Sequence, residues 1–154
     1  MVNLEINNQT KFKIPAKTLT PVLDLARKKL KIKTESASAR AGRDKQSVSL
    51  AFVSPLQIKK LNKKYRHKDK VTDVLSFGID SADYPLPPTD YSLGEIIICP
   101  AQAKKQAKEF KNTFKKEIQK LILHGYLHLL GFDHEIDKDA EVMEGIEKDI
   151  LLNM

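Results

Sequence analysis

Three histidines fall inside one eleven-residue stretch, His124-Gly-Tyr-Leu-His128-Leu-Leu-Gly-Phe-Asp133-His134, and their spacing is that of metal ligands. On a helix, residues four apart lie on one face, one turn apart, so His124 and His128 can offer two imidazoles to a single point. His134 follows six residues later. It joins the pair only if the helix stops first, and Gly131 is placed to stop it, because glycine tolerates the left-handed conformation that ends helices. Two ligands on a rigid helix, a glycine terminator and a third ligand beyond it make a coherent set. A His-x-x-x-His pair alone would equally suit two hydrogen-bonded histidines on a half-buried helix. The third histidine, Gly131 and Asp133 turn the balance toward a metal.

Neutral imidazole suits zinc, copper, iron or nickel. Three protein ligands leave a fourth tetrahedral position open, the pattern of a catalytic zinc rather than a structural one. The one cysteine, Cys99, lies far away in sequence and does not close the site. Asp133, next to a ligand, is a candidate to orient an imidazole. Zinc peptidases carry a glutamate directly after the first histidine as general base. Here that position is Gly125, so peptidase chemistry is disfavoured.

The elements that must position these groups can be read from patterning. Residues 2–7 alternate in part and read as a strand. Thr20-Pro21 reads as a helix start, with Val22, Leu23, Leu25, Ala26 and Leu30 as its apolar face. Residues 33–46 are polar and read as a loop. Residues 47–53 alternate cleanly and read as a strand, and Ser54-Pro55 then opens a helix with Leu56, Ile58, Leu61 and Tyr65 at helical spacing. Residues 71–79 and 93–99 read as two further strands, the second antiparallel to the first, around a proline loop at 80–90. Pro100 opens a helix to about residue 111. A second helix over 114–130 carries the histidine pair, with Phe114, Ile118, Leu121 and Gly125 on one stripe. A last helix over 141–152 turns Val142, Met143, Ile146 and Ile150 inward. This order predicts an α+β sandwich: a four-stranded mixed sheet packed with about five helices, the central helix bearing the metal ligands.

The chain has 154 residues, 41% hydrophobic and 31% charged. That suits one soluble domain over 1–154 with a sizeable core. A single cysteine fits a reducing compartment. The N-terminal residues carry no apolar signal-peptide core, and no apolar run approaches membrane-spanning length, so the expected location is cytoplasmic, with no membrane partner. The net charge of +7 is unevenly spread: residues 1–70 hold 18 Lys/Arg against 5 Asp/Glu, giving +13, and residues 71–154 hold 9 against 15, giving −6. A basic half can meet polyphosphate, or it can simply be a solvated lysine-rich surface. Arg66, near the end of a helix and before a strand, has the fork that suits phosphate. Taken alone it reads as a solvated helix-end arginine, and His67 as an exposed residue rather than a ligand.

Together, His124-Gly-x-Leu-His128-Leu-x-Gly-Phe-Asp133-His134, Leu61-Asn62-x-x-Tyr65-Arg66-x-Lys68-Asp69 and Thr72-Asp73-Val74-Leu75-Ser76-Phe77 resemble the YbeY family. The likeness extends to Leu93-Gly94-Glu95-Ile96 and to Met143, Glu147 and Ile150, and covers most of the chain from about Ser47 onward. This chain departs from the family at His67, where relatives often have a small residue, and at Glu95, where many have Asp. The resemblance implies a bacterial metal-dependent endoribonuclease of ribosomal RNA maturation, including the small-subunit 3′ end, and of ribosome quality control. It implies one zinc per chain on His124, His128 and His134, and Arg66 as the functional arginine. The implied partners are single-stranded and ribosomal RNA, small-subunit ribosomal proteins and assembly factors. Two other readings stand beside it: a zinc hydrolase of peptides or small molecules, and a non-enzymatic ribosome-assembly factor with a structural metal.

Overall fold

The computed structural model describes residues 1–33, 46–79, 92–133 and 136–154. Four strands, β1 (Val2–Asn8), β2 (Gln46–Phe52), β3 (Val74–Gly78) and β4 (Ser92–Ile98), form one sheet in the order β1-β2-β4-β3. β1 and β2 are parallel, as are β2 and β4, and β3 runs antiparallel to β4. Five helices accompany them: α1 (Leu19–Lys33), α2 (Pro55–Arg66), α3 (Pro100–Glu109), α4 (Phe114–Leu129) and α5 (Asp137–Leu152). The fold is therefore the expected α+β arrangement with a mixed sheet. The loops expected at 80–90 and over most of 33–46 lie outside the described residues.

Both faces of the sheet are covered, which the alternation of β2 and β4 explains. Leu50, Phe52, Ile96 and Ile98 point to one face and pack with α1, α4 and α5 residues such as Leu23, Ile122 and Met143. Ala51, Val53, Ile97 and Cys99 point to the other, where Ile58, Leu61 and Tyr65 of α2 close over them. α4 is the most deeply seated helix. Ile118, Ile122, Leu123, Tyr126 and Leu127 are each 0% exposed. Burying an aliphatic side chain of this size is worth about 1.5–3 kcal/mol, so packing holds the helix axis firmly. Two polar ties set its rotation: Gln119 Nε2 donates to the Thr18 carbonyl at 3.2 Å, and the buried Tyr126 hydroxyl donates to Gln46 Oε1 at 2.6 Å.

Several boundaries differ from the sequence reading. α1 starts at Leu19, directly after a 3-10 turn at Ala16–Thr18, so Thr20 is not its cap. Pro21 still falls in the first turn, where its missing N–H breaks no helical bond. β3 starts at Val74 rather than at 71, because the Asp73 carboxylate accepts from the Val74 N–H at 2.8 Å and bends the chain. α5 starts at Asp137, one turn earlier than expected. Val142, expected to face inward, is 51% exposed, and Leu56, grouped by its helical spacing with Ile58, Leu61 and Tyr65, is 62% exposed. Val142 sits one residue, about 100°, round α5 from buried Met143, and Leu56 sits two residues, about 200°, round α2 from buried Ile58, on its far side. Ser54 caps α2 as expected and does more: its hydroxyl accepts from the Gln57 N–H while the Gln57 side chain accepts from the Ser54 N–H, a reciprocal capping box.

Candidate active site

His124 and His128 occupy one face of α4, the face that the core leaves half open. Their Nε2 atoms approach to 3.1 Å, with the rings nearly perpendicular at 78°. The His124 Nδ1 lies 2.6 Å from Glu147 Oε1 on α5. A carboxylate only accepts, so Nδ1–H donates to it and the His124 Nε2 is left with its lone pair aimed at the facing ring. Two zinc-bound nitrogens at about 2.0–2.1 Å and the tetrahedral angle would stand roughly 3.3 Å apart. The observed pair is within a few tenths of an ångström of that, so this donor set fits a metal of the imidazole-preferring kind. Among the described residues no group of three or more His, Cys, Asp or Glu side chains forms a metal-holding cluster. His134, the expected third ligand, lies outside the described residues.

α4 ends as the glycine demanded. Gly131 has φ +94°, the Gly131 N–H donates to the His128 carbonyl at 2.9 Å, and the Phe132 N–H donates to the Leu127 carbonyl at 3.0 Å. These two bonds form a Schellman cap. They reverse the chain directly after the pair and carry Phe132 back onto the core. Gly125, between the two histidines, has a different cause. A Cβ there would meet Ile96 Cγ2 at 2.8 Å, so α4 rides against β4 at this point. A side chain at 125 would point into the sheet, which leaves no place for a peptidase-type glutamate.

Arg66 joins the two histidines in a cavity of about 670 Å³, whose wall also includes Lys68, Lys70 and Asp133. It is the last residue of α2. The next residue, His67, adopts φ +58° as a left-handed cap, a conformation that histidine tolerates better than most side chains. His67 itself is exposed, as expected of a non-ligand. Arg66 is exposed too, but it is not loose: one guanidinium nitrogen donates to the Ser76 carbonyl at 2.9 Å, and the fork lies 5.0 Å over the Phe77 ring. Phe77 is fixed edge-on against Tyr65 at 5.2 Å. The segment after α2 is pinned by buried Asn62, whose amide donates to the Lys70 carbonyl at 2.9 Å and whose own carbonyl receives the Lys68 N–H. This brings Lys68 and Lys70 to the rim of the cavity.

Sequence reasoning missed four contributors. Glu147 places a carboxylate on the His124 ring, a role not assigned to it from sequence. Its position between Met143 and Ile150, an acid on an apolar stripe, is the signal that could have found it. Ser76 acts through its backbone oxygen and leaves no trace in residue type. Phe77 reads simply as a core strand residue. Glu117 on α4 is 2% exposed, and its Oε2 has no hydrogen-bond partner. Burial pushes its carboxyl above the usual range, nearby Lys120 opposes that, Asp73 adds to it, and a hydrogen bond from the Asn112 side chain lowers it again. Glu95 is also pushed up by burial, but it lies in β4 in register with Phe77 and does not line the cavity.

The fold and the cavity define a class: an α+β domain with a helical imidazole pair and a fixed arginine facing one basic-rimmed opening. Comparison with known proteins narrows the class. The family model described as Endoribonuclease YbeY matches residues 5–154. A Staphylococcus carnosus protein described as Endoribonuclease YbeY is 44% identical over 112 residues, 71% of this chain and 73% of that one. A Finegoldia magna protein of the same description is 46% identical over 108 residues, 70% of this chain and 69% of its own. The solution structure of TM1509 from Thermotoga maritima superposes with a TM-score of 0.57 at 30% identity, covering 98% of this chain and 87% of that one. The chain belongs to the YbeY family.

Proposed function

We propose that this protein is a metal-dependent endoribonuclease of ribosomal RNA processing that cleaves single-stranded RNA, with zinc on His124, His128 and His134. The observation that carries the reading is one cavity holding both the converging Nε2 atoms, 3.1 Å apart, and the Arg66 fork. The description shared by its relatives, endoribonuclease, supports the nuclease part of this reading. Its natural setting on this reading is the cytoplasm, at the maturing 3′ end of small-subunit ribosomal RNA and in ribosome quality control, with small-subunit proteins and assembly factors nearby. No helix among the described residues is long and apolar enough to cross a membrane.

A phosphodiester entering the cavity meets Arg66 first as a fixed donor. Ser76 and Phe77 hold one side of the guanidinium, and its remaining N–H groups stay available for phosphate oxygens. Charge that builds on those oxygens as the bond breaks strengthens the contact. Lys68 and Lys70 at the rim attract the backbone on either side without reading bases. When bound, zinc supplies Lewis acidity to a phosphoryl oxygen or to the attacking nucleophile. Glu147 holds the His124 ring so that Nε2 remains a ligand atom. Gly125 against Ile96 counts against the peptidase alternative.

Metal content and cleavage of a single-stranded RNA, measured together on wild type, His128→Ala and Arg66→Ala, test the proposal. The expected result is about one zinc per wild-type chain, metal and cleavage both lost in His128→Ala, and cleavage alone lost in Arg66→Ala. Full zinc occupancy in a folded His128→Ala protein would remove the metal site. Wild-type protein that is zinc-loaded yet leaves RNA intact would remove the nuclease.

A further inference from the structure

A second, smaller cavity of about 210 Å³ opens beside the site and shares Asp73, Val74 and His124 with the first. Its chemistry is the reverse of its neighbour's. Instead of a basic rim it has two carboxylates, Asp73 and Glu117, against one ammonium, Lys120. A phosphate is repelled there. A metal is not favoured either, since no described group of three acid, histidine or cysteine side chains is arranged to hold one. The remaining walls are apolar, from Val74, Leu121 and Phe110, with the Gln106 amide beside them.

The unexplained group in this cavity is Glu117. The residue is 2% exposed, and although the Asn112 side chain hydrogen-bonds the carboxyl, its Oε2 lacks any hydrogen-bond partner. Buried acceptors are nearly always satisfied, and the exceptions call for a ligand, a water or a functional cause. The space is well beyond the roughly 30 Å³ that one water takes. The part of an RNA strand that is uncharged, planar and rich in donors is the base. Amino groups of adenine, cytosine and guanine donate, and a carboxylate is their natural acceptor. Phe110, 65% exposed, and the exposed Lys120 flank the opening, with the ammonium 5.8 Å over the ring. Such side chains can swing aside without disturbing the core, and Phe110 then offers a stacking face.

We propose that this cavity is a base-recognition subsite: it receives one nucleobase flanking the scissile phosphate, and the Glu117 carboxylate accepts a hydrogen bond from that base's exocyclic amino group. The proposal rests on the ribonuclease reading. It deepens that reading by giving the enzyme a preference at one position beside the cut, where the basic rim alone gives none. His124, shared by both cavities, marks where phosphate and base part company.

The test uses short single-stranded RNAs with one cut site, varied at each flanking base between amino form and deamino analogue: cytidine against pyrimidin-2-one riboside, adenosine against purine riboside, guanosine against inosine. At one flanking position the amino form should show kcat/KM about tenfold or more above its analogue, because a site built for a hydrogen bond rejects the ligand that lacks it. Glu117→Leu should bring that ratio to about one, and Glu117→Gln, which keeps one acceptor oxygen, should give an intermediate ratio. Melting curves confirm folding, and if the leucine variant fails to fold, the glutamine variant carries the comparison. Equal cleavage of amino and deamino forms by wild type overturns the subsite, as does a ratio unchanged in a folded Glu117 variant. Should wild type cleave no RNA at all, the nuclease reading falls separately, and equilibrium binding of the same oligomers decides the subsite. An amino-over-deamino preference in affinity that Glu117→Leu abolishes upholds it, and equal affinities overturn it.

Discussion

Arg66 is held in place by a backbone oxygen and an aromatic ring, and this decides how substitutions there behave. Lysine keeps the charge but has no planar fork to reach Ser76 and phosphate together. Arg66→Lys should therefore retain fold and zinc content yet lose most cleavage, within the roughly 10²–10³-fold range seen for single transition-state donors. A cleavage time course beside a metal assay measures it, and a lysine variant as fast as wild type would show that charge alone suffices. Glu147 acts one contact further out. Its carboxylate, 2.6 Å from His124 Nδ1, selects the tautomer, so Glu147→Gln should weaken zinc binding by about 10- to 100-fold. Competition with a chelator reads this directly; unchanged affinity would mean that the ring is oriented by packing alone. Glu117 makes a prediction about pH. Burial raises its pKa in the folded state, so the penalty for its charge is full above that raised value and is relieved as pH falls toward the unfolded value near 4.5. Glu117→Gln should stabilise the protein at pH 7, and the gain should shrink as pH drops toward 4.5. Denaturant unfolding of both proteins at several pH values checks the sign; a difference that stays constant with pH would show that folding does not shift the Glu117 pKa.

At the scale of the element, the critical event is the stop at the end of α4. A Cβ at Gly131 would meet nothing within 4 Å, so a substitution there acts through backbone strain at φ +94° and not through a clash. Gly131→Val should cost on the order of 1–2 kcal/mol. It should also lower zinc affinity by redirecting the chain toward His134, and the two effects should appear together in a melting curve and a metal titration. Loss of stability with metal affinity intact would separate the cap from the ligand set. The end of α2 is built on the same logic with different parts. His67 takes the left-handed position, and Asn62 ties down the turn that presents Lys68 and Lys70. In each case an element terminus, not its middle, aims the functional groups.

Across the whole molecule, the charge asymmetry places three basic side chains, Arg66, Lys68 and Lys70, on the wall of one cavity. Three phosphate contacts to a single strand predict a log–log salt dependence of affinity near −2, at about −0.7 per phosphate. Replacing Lys68 and Lys70 together by glutamine should flatten the slope by about 1.4 units. Fluorescence anisotropy of a labelled RNA over a salt series measures both. A flat wild-type line would make the basic half a solvated surface and nothing more. The sheet is the frame for all of this, since α2 on one face and α4 on the other deliver their ends to the same opening.

What the amino-acid order determined by itself was everything local. The i, i+4 histidines share a face because a helix has 3.6 residues per turn, Gly131 ends α4 because it alone tolerates that φ, and Ser54-Pro55 starts α2 because its hydroxyl caps the free N–H groups. The mixed sheet followed from alternation and connection lengths. Tertiary structure decided which neighbour each local group would meet. Val142 and Leu56 are exposed because the buried stripe is set by the partner helix and sheet, not by hydropathy. Glu147 reaches His124 from 23 residues away, Arg66 is held by a carbonyl ten residues on, and Glu117 is buried with an unsatisfied oxygen. None of these is a property of a sequence window, because each depends on where packing brings separate elements together.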